Sequence, residues 1–415
     1  MSLKVRGILV LVIGTVLGLT VSIGSSMLTE TEPVPTAAEF AADDPSLMLL
    51  EEALKRVRRE YVDQIDERIL VESAIKGMLE GLDKHSRYLD RDEYEDIRIA
   101  TTGNYSGVGL DVSVGADGRI IVQESIANAP AARAGVRAGD IVLAVDDIPI
   151  DGRSVQAAIA RMRGEPGTLV KLSVSRGPDE GILDFALTRA DIHVNTVRSE
   201  YIADGYGYIR LSGFSDSTID ELNAAARELA AVASGPALKG LVLDLRNNPG
   251  GVLQSAIGVA DVFLESGLIV RGNGRIRQAR FEEYARPGGA LEQVPLAVLI
   301  NGGSASGSEI VAGALKDHDR AELFGQRSFG KGSVQSVVPL GAGSALKLTT
   351  AHYLTPSGAT INEHGIDPDT IVELVGGAGR LYTGADGTVG ISDDPQLRTA
   401  LESLGYQAIA LSQAR

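Results

Sequence analysis

A chain of 415 residues, 44% of them hydrophobic, is long enough for two or three domains with their own cores. Its 55 acidic against 39 basic side chains give a formal net charge of −16; this repels phosphate backbones and no basic stripe offsets it, so no nucleic-acid partner is expected. The absence of cysteine excludes disulfides, thiolate catalysis and cysteine-held metals, and leaves the compartment open.

In chain order, the first feature is Lys4 and Arg6 ahead of GILVLVIGTVLGLTVSI, an uncharged and mostly apolar run from Gly7 to Ile23, followed by acidic, proline-containing TETEPVP. A positive flank before such a run marks an export signal or signal anchor. Its 17 residues (23 − 7 + 1) sit at the lower limit for spanning a bilayer. Residues 1–29 therefore read as a signal peptide or anchor and 30–44 as a linker. The protein is expected to be exported, periplasmic or anchored at the outer side of the cytoplasmic membrane.

Residues 45–100 carry helical spacing, with Leu50, Leu54, Val57 and Tyr61 in one run and Ile69, Ala74 and Met78 in the next. They read as packing or dimerisation helices, so a homodimer is expected. From 101 to 189, short strand-like pieces such as YSGVGLDVSV and GRIIVQESI surround short helical ones, with glycines at Gly107, Gly109, Gly135 and Gly139. This predicts a small β-rich binding domain. From 190 to 376, strands alternate with helices: YGYIRLSGF with STIDELNAAARELAAVA, KGLVLDLRNNPGG with LQSAIGVADVFLES, PLAVLINGGSASG with SEIVAGALKD. Such alternation predicts an α/β core whose functional loops lie at strand C-termini. Residues 377–415 form a C-terminal segment.

Two corners end strands of that core. Asn247-Asn248-Pro249-Gly250-Gly251 exposes backbone and suits an oxyanion donor, although an ordinary βα turn has the same composition. In NGGSASGSEIVAGALKD, Ser306 and Glu309 spell the S-x-x-E of a capping box, which accounts for the corner as readily as a nucleophile does. Ser304 and Ser308 read as turn and cap residues.

A nucleophilic serine needs a base. The five histidines, His85, His193, His318, His352 and His364, fall in no triad motif and read as structural or solvated. Lys331 sits between two glycines in RSFGKGSVQSVVPL, an apolar strand context that gives a solvated lysine little reason to be there. To act as a base its amine must be neutral, with a pKa brought well below the ordinary value of about 10.4 by desolvation. Gln335, four residues on and on the same face of an extended strand, is placed to orient it. No metal-ligand motif occurs, so no metal or other cofactor is expected.

YSGVGLDV followed by APAARAGVRAGDIVLAVD resembles a PDZ domain. That resemblance implies a loop, Ser106, Gly107, Val108, Gly109 and Leu110, whose amides take a peptide's terminal carboxylate. GGSASGSE, FGKGSVQS and LVLDLRNNPGG together resemble the carboxyl-terminal processing, or tail-specific, serine proteases, and 331 − 306 = 25 is that family's spacing from nucleophile to lysine. The likeness extends to YVDQIDERILVESAIKGMLEGLDKHSRYLD, YLTPSGATINEHGIDPD and DDPQL. It implies a multidomain α/β and β fold: a crotonase-like α/β protease core with an inserted PDZ-like β domain and N-terminal helices. It makes Ser306 the nucleophile, Lys331 the general base and Gln335 its positioning partner, with amides of Gly307 and of Gly250 or Gly251 as oxyanion hole. Arg163, in MRGEPG, resembles a family arginine that senses an occupied PDZ domain; a solvated turn cation is the alternative. Two positions depart from the family, Lys84 where proline is usual and Gly307 where alanine is common.

The expected protein is thus a serine endopeptidase that recognises apolar C-termini through its PDZ domain, cleaves through an acyl-enzyme and takes an adaptor protein among its partners. The rivals are a catalytically silent PDZ scaffold at the membrane and an acyl-CoA enzyme on the same core. Ser306 and Lys331 argue against the first, and the fused binding domain with its export signal against the second.

Overall fold

The computed structural model describes residues 44–115, 117–151, 155–233, 238–373 and 394–406. The expected signal or anchor at 1–29 lies outside the described residues, as does most of the linker. No helix among the described residues is long and apolar enough to cross a membrane. The chain divides into two compact units at Gly77/Met78.

In the first unit a helix spans Pro45–Glu60, started by Asp44, whose carboxylate accepts from the Ser46 amide, and by proline in the first turn. Glu51–Lys55 and Glu52–Arg56 pairs line it at i,i+4 spacing. None of its residues is buried, so the apolar spacing read from the sequence is present as an exposed stripe that includes Leu50 and Val57. Helix Glu67–Glu80 runs across the division.

The second unit holds the α/β core and the β domain. The core is built on a six-stranded sheet in the order Val197–Ala203, Tyr206–Leu211, Gly240–Asp244, Leu296–Ile300, Glu322–Gly325, Thr370–Ile371. Its first pair is antiparallel and the rest are parallel. The two central strands, GLVLD and LAVLI, are buried along their whole length, because parallel strands covered on both faces need uninterrupted apolar runs. Helices Thr218–Val232, Leu253–Phe263 and Gly307–Asp317 contribute Leu222, Val259, Phe263, Val311 and Leu315 to one core. Helix Pro395–Ser403 contributes Leu397, Ala400 and Leu401 to a separate cluster with Tyr208, Leu299 and Phe324.

A second sheet pairs Ser333–Pro339, Arg87–Leu89 and Gly267–Gly274 with Ala345–Leu354, and Gly267–Gly274 pairs in turn with Phe281–Ala285. The β domain is an antiparallel sheet of Leu110–Val114, Ile120–Ser125, Ile141–Val145, Leu169–Ser175 and Ile182–Thr188 around its own core of Ile120, Val122, Val145, Leu172 and Val174. The chain enters and leaves this domain through one ribbon, Asn104–Gly107 against Ala190–His193. The architecture is therefore the expected mixture of an α/β core and a β domain.

Candidate active site

Strand Leu296–Ile300 ends in a turn from which helix Gly307–Asp317 starts, and Ser306 stands at that junction with φ 55° and ψ −110°. A side-chain-bearing residue in this sparsely populated region costs about 1–3 kcal/mol and persists only where its surroundings fix it. The fixing bonds come from its neighbours. Ser304 Oγ donates to the Leu245 carbonyl at 2.8 Å and accepts from the Asn301 amide at 3.0 Å. Ser308 Oγ and the Ala305 amide both donate to the Asn248 carbonyl, at 2.9 Å each. Ser304 and Ser308 are fully buried and spent on backbone; Ser306 alone of the three is half-exposed.

Glu309 does more than the capping motif implies. Its buried carboxylate accepts from the Ser306 amide at 2.8 Å, and also from Ser328 Oγ at 2.6 Å and the amides of Gly330 at 2.7 Å and Lys331 at 2.9 Å. One side chain therefore ties the serine corner to the lysine loop. The S-x-x-E spacing announced the first contact; the other three join loops about 20 residues apart and left no local signal.

Lys331 is half-buried, and burial pulls its ammonium below the ordinary lysine range; the Glu309 carboxylate opposes this and the Arg87 guanidinium adds to it. Among the described residues its amine has no hydrogen-bond partner, and none joins it to Ser306. Gln335 does not orient it either, contrary to the spacing argument. The Gln335 amide donates to Ser333 Oγ at 2.7 Å and reaches Thr349 Oγ1 at 3.5 Å. The strand begins only at Ser333, beyond Lys331, and its register slips between Val334 and Gln335, so even spacing does not place the two side chains on one face. Three of the five histidines are engaged elsewhere: His193 with Asn104 and Glu221, His318 with the Leu268 carbonyl, His364 with the Asn362 carbonyl; His85, its pKa depressed chiefly by burial, also feels the Lys331 charge.

The second corner faces the first. A Cβ on Gly250 would stand 2.8 Å from Ser306 Cβ and 3.1 Å from the Gly307 nitrogen, and one on Gly251 would collide with the Phe214 carbonyl at 2.1 Å. With φ of 103° and 151°, both positions need glycine for backbone reasons as well. The Gly250 amide is taken by Asn248 Oδ1 at 2.9 Å. Among the described residues the Gly251 and Gly307 amides have no acceptor, so of the two expected candidates Gly251 is the one whose donor is unspent. Gly307 itself is crowded: an alanine there would meet Phe214 Cδ2 at 2.9 Å and Ala256 Cβ at 3.0 Å, which accounts for glycine at a position where alanine was expected.

The β-domain loop shows a different state. Gly109, at φ 77°, packs where a Cβ would stand 2.1 Å from Ala129 Cβ, and the Val108 carbonyl accepts from the Ala131 amide at 2.9 Å. Ser106 Oγ donates to Asp191 at 2.6 Å and Leu110 opens the first strand of the domain sheet. The Tyr105 ring lies over the loop, its Cε2 2.9 Å from where a Gly107 Cβ would be. Burial pushes its hydroxyl pKa up, Arg163 opposes that, and the Leu110 and Gly109 amides beside the hydroxyl do the same. Arg163 bridges to the Gly107 backbone, stacks 6.0 Å from the Tyr105 ring centroid and donates to Asp96 at 2.5 Å. It thus has partners, while its side chain stays about a third exposed. A cleft of about 1460 Å³ opens here, lined by Tyr105, Leu110 and Met162 of the β domain and by Tyr208, Arg210 and Arg246 of the core.

Residues 205–372 match the model of peptidase family S41, 121–176 that of a PDZ domain, and 11–93 that of the activating protease CtpB N-terminal domain. A carboxy-terminal-processing protease of Bartonella bacilliformis is 44% identical over 339 residues, covering 82% of this chain and 77% of that one. The carboxy-terminal processing protease CtpA of Bacillus subtilis is 33% identical over 369 residues, covering 86% and 76%. In fold, the chain is similar to an S41 protease structure from Bacteroides fragilis at a TM-score of 0.50 and 16% identity, covering 85% of this chain and 96% of that one. The chain belongs to the carboxy-terminal processing proteases of peptidase family S41, serine-type peptidases, and it carries a PDZ domain.

Proposed function

We propose that the enzyme captures the free apolar C-terminus of a protein in its PDZ domain and cleaves the chain by a Ser306/Lys331 dyad through an acyl-enzyme. The observation that carries this reading is the single buried carboxylate of Glu309 holding the amides of both Ser306 and Lys331. The neutral Lys331 amine takes the Ser306 proton as Oγ attacks the scissile carbonyl. The Gly307 and Gly251 amides receive the oxyanion, and the lysine ammonium returns its proton to the departing amine. Water then repeats the sequence on the ester. Ser306 and Lys331 share no hydrogen bond here, and such bonds commonly close only with substrate bound.

Tail recognition follows from the loop amides of Val108 to Leu110, with Arg163 exchanging Asp96 for the arriving carboxylate, the differential contact a sensor requires. The charged and apolar N-terminus supports export, with the chain either released or held at the outer side of the cytoplasmic membrane. The exposed stripe of helix Pro45–Glu60 supports pairing with a second copy, and the match to an activating protease's N-terminal domain supports an adaptor.

Cleavage of an unfolded exported protein tests the dyad. Ser306→Ala and Lys331→Ala should each lose about 10³-fold or more, and the double variant should be no worse, because the pair acts as a unit. Near-normal turnover by Lys331→Ala would sink the assignment. Substrates ending in free apolar residues, in an amide or in Asp-Asp test tail selection: wild type should prefer the first, and Arg163→Ala should still bind it but lose turnover.

A further inference from the structure

Arg246 is the last residue before the Asn247–Gly251 corner, and it is 2% exposed. Its guanidinium serves two carboxylates. Nε donates to Asp244 at 3.0 and 3.1 Å and Nη2 to Asp244 at 2.7 Å, on its own strand end. Nη1 donates to Asp394 Oδ1 at 3.1 Å and to Gln396 Oε1 at 3.0 Å, with Asp394 Oδ2 2.8 Å from Nη2. The Tyr208 hydroxyl donates to Asp244 at 2.7 Å, and Arg210 lies 3.5 Å from the same carboxylate. Two carboxylates and two guanidiniums leave no net charge, the condition for burying such a group.

Asp394 caps helix Pro395–Ser403, accepting from the Leu397 amide at 3.0 Å, and Gln396 also donates to the Val372 carbonyl at 2.7 Å. Holding this helix to the core does not call for charges, since Leu397, Ala400 and Leu401 already pack there. What the charges add is direction, at the residue that launches the corner. The Arg246 amide donates to Asp244 at 2.9 Å and its carbonyl accepts from Arg210 at 3.3 Å. Asn247 follows at φ 57° with its amide on Asn301 Oδ1 at 2.9 Å. The backbone of Arg246, which launches the corner, is thus held by Asp244 and Arg210, the same groups that surround the guanidinium the C-terminal helix grips.

We propose that Asp394 and Gln396 are positioning residues for proteolysis: through Arg246 they set the Asn247–Gly251 corner so that the Gly251 amide meets the oxyanion formed at Ser306. This rests on the reading of Ser306 and Gly251 given above. A helix about 150 residues downstream thus acts on the chemical step without touching substrate.

The test uses the full-length enzyme, a peptide aldehyde and the matching peptide alcohol. The aldehyde adds Ser306 Oγ to its carbonyl carbon, the hydroxyl proton passing to Lys331 and the carbonyl oxygen entering the hole; the alcohol forms no adduct. Asp394→Asn keeps the side chain's shape and its cap acceptor while removing its charge. Per active site counted with a fluorophosphonate, it should lower kcat about tenfold, less than the 10²–10³ of losing a donor outright. It should leave KM and alcohol binding unchanged and weaken the aldehyde by the same factor as kcat. An unchanged aldehyde affinity, whether or not kcat per active site falls, would overturn the proposal and leave a merely structural anchor. If Asp394→Asn yields no folded protein, Gln396→Met, which keeps the volume and removes both the acceptor for Arg246 and the donor to the Val372 carbonyl, is held to the same two outcomes. A wild-type enzyme that binds aldehyde and alcohol equally would instead remove the Ser306 reading, and the proposal with it.

Discussion

Two glycine-bounded turns in this protease, the proposed oxyanion corner and the proposed tail-binding loop, are built in opposite ways. The Asn247–Gly251 corner is anchored on every side, by Asn301, by the Asn248 side chain and by the buried Arg246 network, and its Gly251 amide is left without an acceptor. The Gly107–Leu110 loop is covered by Tyr105, with the Leu110 and Gly109 amides beside the phenol and Arg163 held by Asp96. On the proposed reading, catalysis needs donors whose orientation costs nothing at the moment of reaction, which an anchored turn with an unspent amide suits. On the same reading, recognition that also signals needs donors that change partner, which a loop covered by Tyr105 and Arg163 suits.

Glycine-to-alanine changes at the two turns separate these roles, with the largest effect in the catalytic one. Gly251→Ala forces a Cβ to 2.1 Å from the Phe214 carbonyl at a φ of 151°, so the corner must shift. Loss of one oxyanion donor should lower kcat by about 10²–10³-fold with tail-peptide binding intact. Gly109→Ala meets Ala129 Cβ at the same 2.1 Å, but in the PDZ loop. There, tail binding should weaken while cleavage of a short, tail-independent peptide by the same preparation stays within about threefold, as expected where no catalytic donor is touched. Tail binding measured by fluorescence anisotropy beside steady-state kinetics decides both. If Gly109→Ala cost as much in kcat as Gly251→Ala, the division of labour would be wrong.

Much of this comparison was legible in the sequence, and the illegible part has a common cause. Alternating strand and helix signals, the two corners and the Ser306 and Lys331 motifs are local, and local pattern carries them. What pattern missed is set by side chains meeting across the fold. Gln335 turns to Ser333 because the register slips beside it, a feature without a composition signal. Gly250 loses its donor to Asn248 two residues back, although Asn-x-Gly in NNPGG is the spacing at which a side chain reaches a turn amide and could have flagged it. Asp394 and Gln396 lie in DDPQL and Arg246 in LVLDLRNNPGG, both segments that carry the family likeness, but nothing local says that residues about 150 apart meet. Glu309 was half-read, as a cap, because only the cap lies within one helical turn.

A smaller effect tests whether the recognition loop is occupied by its own side chain. Tyr105→Phe keeps the ring over Gly107 and removes the hydroxyl beside the Leu110 and Gly109 amides. A competing contact worth an ordinary hydrogen bond, about 0.5–1.5 kcal/mol, would then be gone. Tail peptides should bind about two- to tenfold more tightly, with kcat unchanged at saturating substrate. Weaker binding would mean that the phenol supports the loop instead of competing for it.

The smallest expected effect concerns the base, and its sign is fixed by the charges around it. Burial chiefly depresses the Lys331 pKa, Glu309 raises it and Arg87 lowers it further. On the same side stand Lys347, depressed by burial and then by Lys331 and Arg87, and His85, depressed by burial and then by Lys331. A dyad works only with a neutral amine, so kcat/KM should rise with pH as Lys331 loses its proton. Arg87→Gln removes a cation, the lysine keeps its proton to higher pH, and the acid limb of the profile should move up. Arg87 is exposed and water screens it, so below the limb the variant should be only about 1.5- to fivefold slower, and above the limb the two enzymes should coincide. Arg87→Lys should restore the wild-type limb. A limb that moves down, or a loss equal at every pH, would show that Arg87 acts on something other than the charge of Lys331.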